Sequence, residues 1–141
     1  MGNVIKILTA TDLHRGKRLY DELAHSVAAH NPDVVALVGD FLDALETIPE
    51  QYSTPDAAEV LNRLPCQEIV FVRGNHEDFD WWEFSDTWAK TGRKLTALHG
   101  EVFLHGPLAM VGFPCGLGDE TAYLGSREPL PERPINGFPN S

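Results

Sequence analysis

Residues 34–43 read VVALVGDFLD, an apolar run that ends in a glycine and a carboxylate. A short apolar run rich in valine favours a strand that is covered on both faces of a sheet. Gly39 allows the backbone to turn sharply where that strand ends, so Asp40 follows at its carboxyl end. Ligands of open α/β sheets bind at that edge. The stretch therefore predicts a buried parallel strand that delivers a carboxylate to a binding site.

The same arrangement occurs twice more along the chain. A strand-like run at residues 4–8 precedes Asp12 and His14, and another at residues 69–72 precedes residues 74–77, which read GNHE. Each run thus ends in a cluster of carboxylate, imidazole or carboxamide side chains. Because parallel strands end at one edge of a sheet, we expect the three clusters to meet there.

Helical segments separate the three strands. Apolar residues recur at helical spacing over residues 19–28, and again over 57–64 after a start at Thr54 and Pro55, with a hydroxyl cap and a proline at the first helical position. A third helix is predicted to begin at Asp80. Strands that alternate with helices predict a parallel sheet with right-handed crossovers.

The pattern changes in the last third of the chain. Short apolar runs at residues 95–98, 102–104 and 109–111 predict an antiparallel meander. Glycine and proline then dominate, which predicts an irregular tail. The predicted fold class is α/β, a layered sandwich of a mostly parallel sheet flanked by helices plus the meander. We predict a domain over residues 1–113 and a tail over 114–141.

Composition narrows the class of protein. The chain has 141 residues, 43% of them apolar, and a formal net charge of -10. This charge argues against broad binding of nucleic acid or of anionic membranes, and no apolar run approaches the length of a membrane span. The start of the chain, with Lys6 inside its first strand, does not read as a signal peptide. Cys66 and Cys115 lack CxxC spacing and are expected to be free thiols of a cytoplasmic protein.

The residue types of the clusters suit a metal centre. In extended backbone, side chains two residues apart point the same way, so Asp12 and His14 could share one cation. Their oxygen and nitrogen donors suit manganese, iron, zinc or magnesium. Asp40 could bridge two cations and Asn75 offers a neutral carbonyl oxygen, while His76 could act as a general acid for a leaving alkoxide. Two cations roughly 3.5–4 Å apart form the usual clamp for phosphoryl displacement.

In this order, the motifs Asp-x-His, Gly-Asp-x-x-Asp and Gly-Asn-His-Glu resemble those of the calcineurin-like metallophosphoesterase family. The resemblance implies the first half of a four-layer αββα fold. It also implies that Asp12 and His14 bind a first divalent ion, that Asp40 bridges, that Asn75 binds a second ion and that His76 donates a proton. The implied reaction is hydrolysis of a small phosphoester or nucleotide substrate by metal-activated water.

The chain departs from the family after these motifs. The family completes its metal sites with later histidines, the last in a Gly-His-x-His motif, and no histidine follows His105 here. We therefore expect an amino-terminal portion of the domain, truncated or naturally short, with weak metal affinity and little turnover alone. Two alternatives stay open. One is a non-catalytic binding or scaffold domain that retains the half-fold, and the other is self-association or complementation by a second chain.

Several neighbouring residues have two interpretations each. Asp43 and Glu77 are expected to support the site rather than bind metal. The basic residues at positions 15, 17 and 18 form either a solvated charge run or a patch that attracts phosphate. The aromatic residues of segment 81–88 form either a buried helix face or a substrate cleft. Likewise, His99 and His105 are either ordinary turn residues or replacements for the missing ligands.

Overall fold

The computed structural model of the protein describes residues 4–43, 47–74, 77–100 and 102–113. Within these ranges, three strand–helix pairs are followed by three short strands. None of the helices in this part of the chain has the length and apolar character that crossing a bilayer requires. The elements are β1 (Ile7–Ala10), α1 (Lys17–His30), β2 (Val34–Val38), α2 (Thr54–Asn62), β3 (Glu68–Val72), α3 (Glu77–Ala89), β4 (Thr96–Ala97), β5 (Val102–His105) and β6 (Leu108–Val111).

The first four strands form one parallel sheet in the order β1-β2-β3-β4, and β5 and β6 form an antiparallel pair. The predicted α/β class, with a mostly parallel sheet, flanking helices and an antiparallel element, is confirmed. One assignment was wrong in detail. Residues 95–98 contain β4, which pairs parallel to β3 rather than opening a meander. The intervening helix α3 is a full crossover, and a strand that follows such a crossover returns parallel.

The continuous apolar sequence of β2 reflects burial on both faces of the sheet. Val35 and Leu37 lie in the larger core, between the sheet and the helices. Val34 and Ala36 point to the opposite face, where they lie in a second core that includes Phe103 of β5. These four side chains are at most 3% exposed, whereas Val38 at the end of the strand is 46% exposed. Because both faces are covered, β2 cannot show the alternation of a half-exposed strand.

Three aromatic residues of α3 belong to the core. Trp81, Phe84 and Trp88 are at most 1% exposed. The Phe84 ring lies 5.6 Å from that of Phe41, and the Trp81 ring lies 5.2 Å from that of Phe71. Such ring pairs contribute beyond their buried area. The helix therefore anchors the segment after β2 to β3, and these three side chains do not form a substrate cleft.

The starts of α2 and α3 differ slightly from those predicted. Helix α1 ends at His30, and Asn31, with left-handed backbone (φ 48°), forms its C-cap directly before Pro32. The cap of α2 is Ser53 rather than Thr54, since the Ser53 hydroxyl accepts a hydrogen bond from the Asp56 amide at 3.2 Å. Helix α3 begins at Glu77 rather than Asp80. It thus starts inside the third motif, which places Glu77 beside the ends of β2 and β3.

Candidate metal centre

The segments after β1 and β2 are joined by backbone hydrogen bonds that continue past the strands. The Asp12 amide donates to the Gly39 carbonyl at 3.1 Å, and the His14 amide donates to the Asp40 carbonyl at 2.9 Å. The Arg15 amide then donates to the carbonyl of Phe41 at 3.1 Å. This pairing brings the first two motifs side by side at the carboxyl edge of the sheet.

Three candidate ligand side chains converge at this edge. One ligand atom each from Asp12, His14 and Asp40 lies within 4.8 Å of the others. The Nε2 atom of His14 is 3.8 Å from Oδ1 of Asp12. The Asp12 side chain is 61% exposed and that of His14 is 36% exposed. Two carboxylates and an imidazole fit a hard or borderline divalent cation, and the Asp12 and His14 side chains are accessible to solvent.

The convergence of Asp12 and His14 has a different cause from the one predicted. Both residues have left-handed backbone, with φ of 56° and 47°, so they do not lie in an extended segment. Arg15 and Asp40 share this conformation, with φ of 55° and 51°. Residues other than glycine adopt it at a cost on the order of 1–3 kcal/mol each, less for aspartate. Among the described non-glycine residues, Asn31 alone shows a positive φ away from this edge.

Glu77 joins the end of β2 to the end of β3. Its Oε1 atom accepts hydrogen bonds from the amides of Asp40 (2.8 Å) and Gly74 (2.6 Å), and its Oε2 atom accepts one from the amide of Leu42 (3.0 Å). The side chain is fully buried. Burial raises the pKa of Glu77 to about 8, against the opposing effect of the three amide donors. This agrees with the supporting role predicted for Glu77.

Gly74 lies directly against Asp40. A Cβ atom at position 74 would lie 2.2 Å from Oδ1 of Asp40 and 2.7 Å from its amide nitrogen. Only glycine allows this approach without displacement of the neighbouring chain. The start of the third motif is therefore packed against the carboxylate that ends the second.

Asp43 lies on the far side of the His14 ring from Asp12. Its Oδ1 atom is 3.6 Å from Nδ1 of His14, whereas Nε2 of the same ring faces Asp12. Gln51 contacts both residues, since its Nε2 atom donates to the His14 carbonyl (2.8 Å) and to Oδ2 of Asp43 (2.5 Å). The position of Asp43 fits the supporting role expected from the sequence. Gln51 was missed, because it belongs to no motif and lies in an irregular segment.

Arg15 is neither part of a solvated charge run nor available to phosphate. Its side chain is fully buried, and its Nη1 atom donates to the Thr47 hydroxyl at 2.8 Å and to the Tyr52 carbonyl at 2.7 Å. Both interpretations of this residue from the sequence were wrong, whereas Lys17 and Arg18 are exposed. Through these hydrogen bonds, Arg15 instead joins the motif that contains His14 to the segment before α2.

The remaining site predictions are not decided by the geometry. Asn75 and His76 lie outside the described residues, as do Cys115 and the whole of segment 114–141. His99 follows β4 and is partly buried, and burial together with the charge of Arg73 lowers its pKa to about 4. Within the described ranges, the cluster of possible metal ligands includes neither His99 nor His105.

Comparison with known proteins supports the family resemblance found in the sequence. No curated protein matches the chain. The sequence model of the family described as calcineurin-like phosphoesterase matches residues 5–130. This match includes all three motifs and runs beyond the predicted domain boundary at residue 113. The parallel sheet, its helices and the β5–β6 pair are consistent with half of the metallophosphoesterase fold. Because the match spans most of the 141 residues, the chain belongs to the calcineurin-like phosphoesterase family.

Proposed function

We propose that the protein hydrolyses phosphoesters with the help of divalent metal ions held at the carboxyl edge of its sheet. The observation that carries this proposal is the convergence of Asp12, His14 and Asp40 within 4.8 Å. Family membership gives the reaction class, because calcineurin-like phosphoesterases are metal-dependent hydrolases. The proposed substrate is a small phosphoester or nucleotide.

The proposed roles follow from the position of each side chain. Asp12 and His14 would hold a first ion through a carboxylate oxygen and the Nε2 atom of the imidazole. Asp40 has two carboxylate oxygens and lies between the first and third motifs, so it is suited to bridge to a second ion. When bound, the ions would acidify a water molecule and neutralise charge on the transferring phosphoryl group.

Two roles rest on the motif alone. Asn75 is proposed to offer its carbonyl oxygen to the second ion, and His76 is proposed to donate a proton to the leaving alkoxide. Their support from the described residues is indirect. Gly74, the residue before them, packs against Asp40, and Glu77, the residue after them, binds the Asp40 amide. Both flanks of the pair are therefore fixed beside the cluster.

Asp43 is proposed to orient the imidazole of His14. A ligand histidine usually donates its second ring N–H to a carboxylate or carbonyl, which fixes the ring and its tautomer. The 3.6 Å separation between Nδ1 of His14 and Oδ1 of Asp43 places a carboxylate on the required side. Nε2 then faces Asp12 and would remain available to a bound ion.

The number of donors sets the expected affinity. Asp12, His14, Asp40 and Asn75 supply few ligands for two ions that each take about four to six. We therefore propose weak metal binding and slow turnover for this chain alone. The same shortage of donors favours the second candidate function, a binding or scaffold domain without catalysis. The identity and number of the ions, the cytoplasmic location and any self-association are further proposals.

Titration calorimetry with Mn²⁺ and hydrolysis of an aryl phosphate test the proposal together. The protein is expected to bind Mn²⁺, and Asp40→Asn is expected to lower the affinity at least tenfold and to abolish any turnover. Asp86→Asn, an exposed carboxylate of α3, serves as the matched control and should change neither. Absence of binding by Mn²⁺, Zn²⁺ and Mg²⁺ would support the scaffold function instead. Turnover that survives Asp40→Asn would refute the assigned site.

A further inference from the structure

We propose that Gln51 is a positioning residue of the metal centre, which holds the Asp43 carboxylate against the His14 imidazole. This inference rests on the proposed metal-binding function. Gln51 lies between β2 and α2, outside the three motifs. We assign this role from the hydrogen bond that joins Gln51 to His14, 37 residues earlier in the chain, and from the contacts around it.

The carboxamide of Gln51 is engaged at both of its polar atoms. Its Nε2 atom donates to the His14 carbonyl (2.8 Å) and to Oδ2 of Asp43 (2.5 Å). Its Oε1 atom accepts from the Ile48 amide at 3.2 Å. An amide has two N–H donors and one carbonyl acceptor, so these contacts define which way it points. The reversed amide would set an oxygen against two acceptors and an N–H against a donor.

The backbone that bears Gln51 is itself held to the first motif. Gly16 and Gln51 form an isolated antiparallel bridge. Beside it, the Lys17 amide donates to the Glu50 carbonyl at 2.9 Å, and the Tyr52 amide donates to the Arg15 carbonyl at 2.8 Å. We call residues 48–52 the strap. A positioning side chain is effective only where its own support is fixed, and the strap gives Gln51 that support.

The two carboxylate oxygens of Asp43 have different neighbours. Oδ2 accepts from Gln51, while Oδ1 remains 3.6 Å from Nδ1 of His14. The hydrogen bond to Gln51 restricts rotation of the carboxylate and so keeps Oδ1 beside the ring. The same amide also holds the carbonyl of His14, whose backbone is left-handed (φ 47°). Gln51 therefore fixes both the imidazole's carboxylate partner and the backbone from which the ring extends.

A double-mutant cycle separates positioning from simple support of the fold. Gln51→Met keeps the side-chain length and removes all three hydrogen bonds, and it is expected to lower Mn²⁺ affinity about tenfold, as is typical for residues that orient metal ligands. In an Asp43→Ala background, the same change should lower affinity by less than about threefold, because its partner is already absent. Gln67→Met, an exposed glutamine just before β3, is the matched control and should leave affinity unchanged.

The unfolding midpoint without metal is measured for every variant. Gln51→Met that lowers the midpoint but leaves Mn²⁺ affinity intact would overturn the positioning role, as would equal losses in both backgrounds. If the methionine variant does not fold, Gln51→Asn, which keeps the amide and shortens its reach, is read by the same criteria. If the unaltered protein binds no Mn²⁺, Zn²⁺ or Mg²⁺, the metal-binding function fails and this inference fails with it. That outcome differs from one in which the unaltered protein binds metal and Gln51→Met binds it with the same affinity.

Discussion

Replacement of Gly74 by alanine should damage both the fold and the metal centre. The added Cβ would lie 2.2 Å from Oδ1 of Asp40, 2.9 Å from its Cγ and 2.7 Å from its amide nitrogen. Rotation of the Asp40 side chain could relieve the first two contacts. It cannot relieve the third, because the amide is backbone and is held by Oε1 of Glu77. The segments that follow β2 and β3 must therefore move apart.

The cost follows from the contacts that this movement disturbs. Inserting a methyl group into a packed region costs about 1–3 kcal/mol. Separation also stretches the hydrogen bonds from the Gly74 and Asp40 amides to Glu77, each worth about 1 kcal/mol. We expect the free energy of unfolding to fall by about 2–4 kcal/mol. For a chain of this length, that corresponds to a loss of roughly 6–15 °C in the unfolding midpoint. Mn²⁺ affinity should fall at least tenfold because the Asp40 carboxylate is displaced.

Thermal unfolding followed by circular dichroism without metal, together with Mn²⁺ calorimetry, measures both effects. Gly92→Ala is the matched control. Gly92 has φ of 76° but no atom within 4 Å of an added Cβ, so its replacement introduces backbone strain of about 1–2 kcal/mol and no clash. It should leave metal affinity unchanged. If Gly74→Ala costs no more than Gly92→Ala and keeps its affinity, the close approach of Gly74 and Asp40 is refuted.

Two further predictions concern titratable groups, one buried and one partly buried. Glu77→Gln replaces an acceptor oxygen with an amide donor, so at least one backbone N–H loses its partner, and the free energy of unfolding measured in urea should fall by about 1–3 kcal/mol. The control Glu83→Gln, at an exposed position of the same helix, should change that free energy by less than about 0.5 kcal/mol. Equal effects of the two substitutions would contradict the role of Glu77. The pKa of His99 is lowered from 6.5 to about 4, so the unfolded chain binds more protons between these values and stability should fall as pH drops from 6.5 towards 4. We expect the free energy of unfolding to fall by an amount on the order of 1–2 kcal/mol, since partial solvation of the ring reduces the effect. If the urea midpoints of the unaltered protein and of His99→Asn show the same pH dependence, this role of His99 is refuted.

The sequence predicts the sheet well because its signals are local. Apolar runs that alternate with helical spacing identify β2 and β3, and the rule for crossovers makes the strands parallel. They identify β1 only in part, since it spans Ile7–Ala10 rather than residues 4–8 and is partly exposed rather than buried. The direction of β4 was not predictable from its own residues. It has two residues, Thr96 and Ala97, and a segment that short carries no pattern that distinguishes a parallel partner from an antiparallel one. Its direction depends on the path of α3, which is a property of the whole crossover.

The convergence of three candidate ligands was predictable from the sequence, but the residues that support them were not. Asp12, His14 and Asp40 stand out because their residue types follow strands. Arg15 was misassigned because a charged side chain in a basic segment is seldom fully buried. Gln51 gave no signal, since its contacts join segments 37 residues apart in the chain. Long-range hydrogen bonds between irregular segments leave no periodic pattern for sequence reasoning to detect.

The left-handed residues explain why the site needs such supports. Gly39 has φ of 78° and is a glycine, the residue that accepts this conformation without strain. Asp12, His14 and Asp40 have similar backbone angles, yet a glycine at any of them would remove a candidate ligand. The chain therefore accepts backbone strain at positions whose side chains are the proposed metal ligands. The paired backbone after β1 and β2, the Glu77 side chain and the Gln51 amide all act on these segments and offset that strain. Ligand geometry and fold stability are thus coupled at this edge, so a change that relaxes the backbone should weaken metal binding even where no ligand is altered.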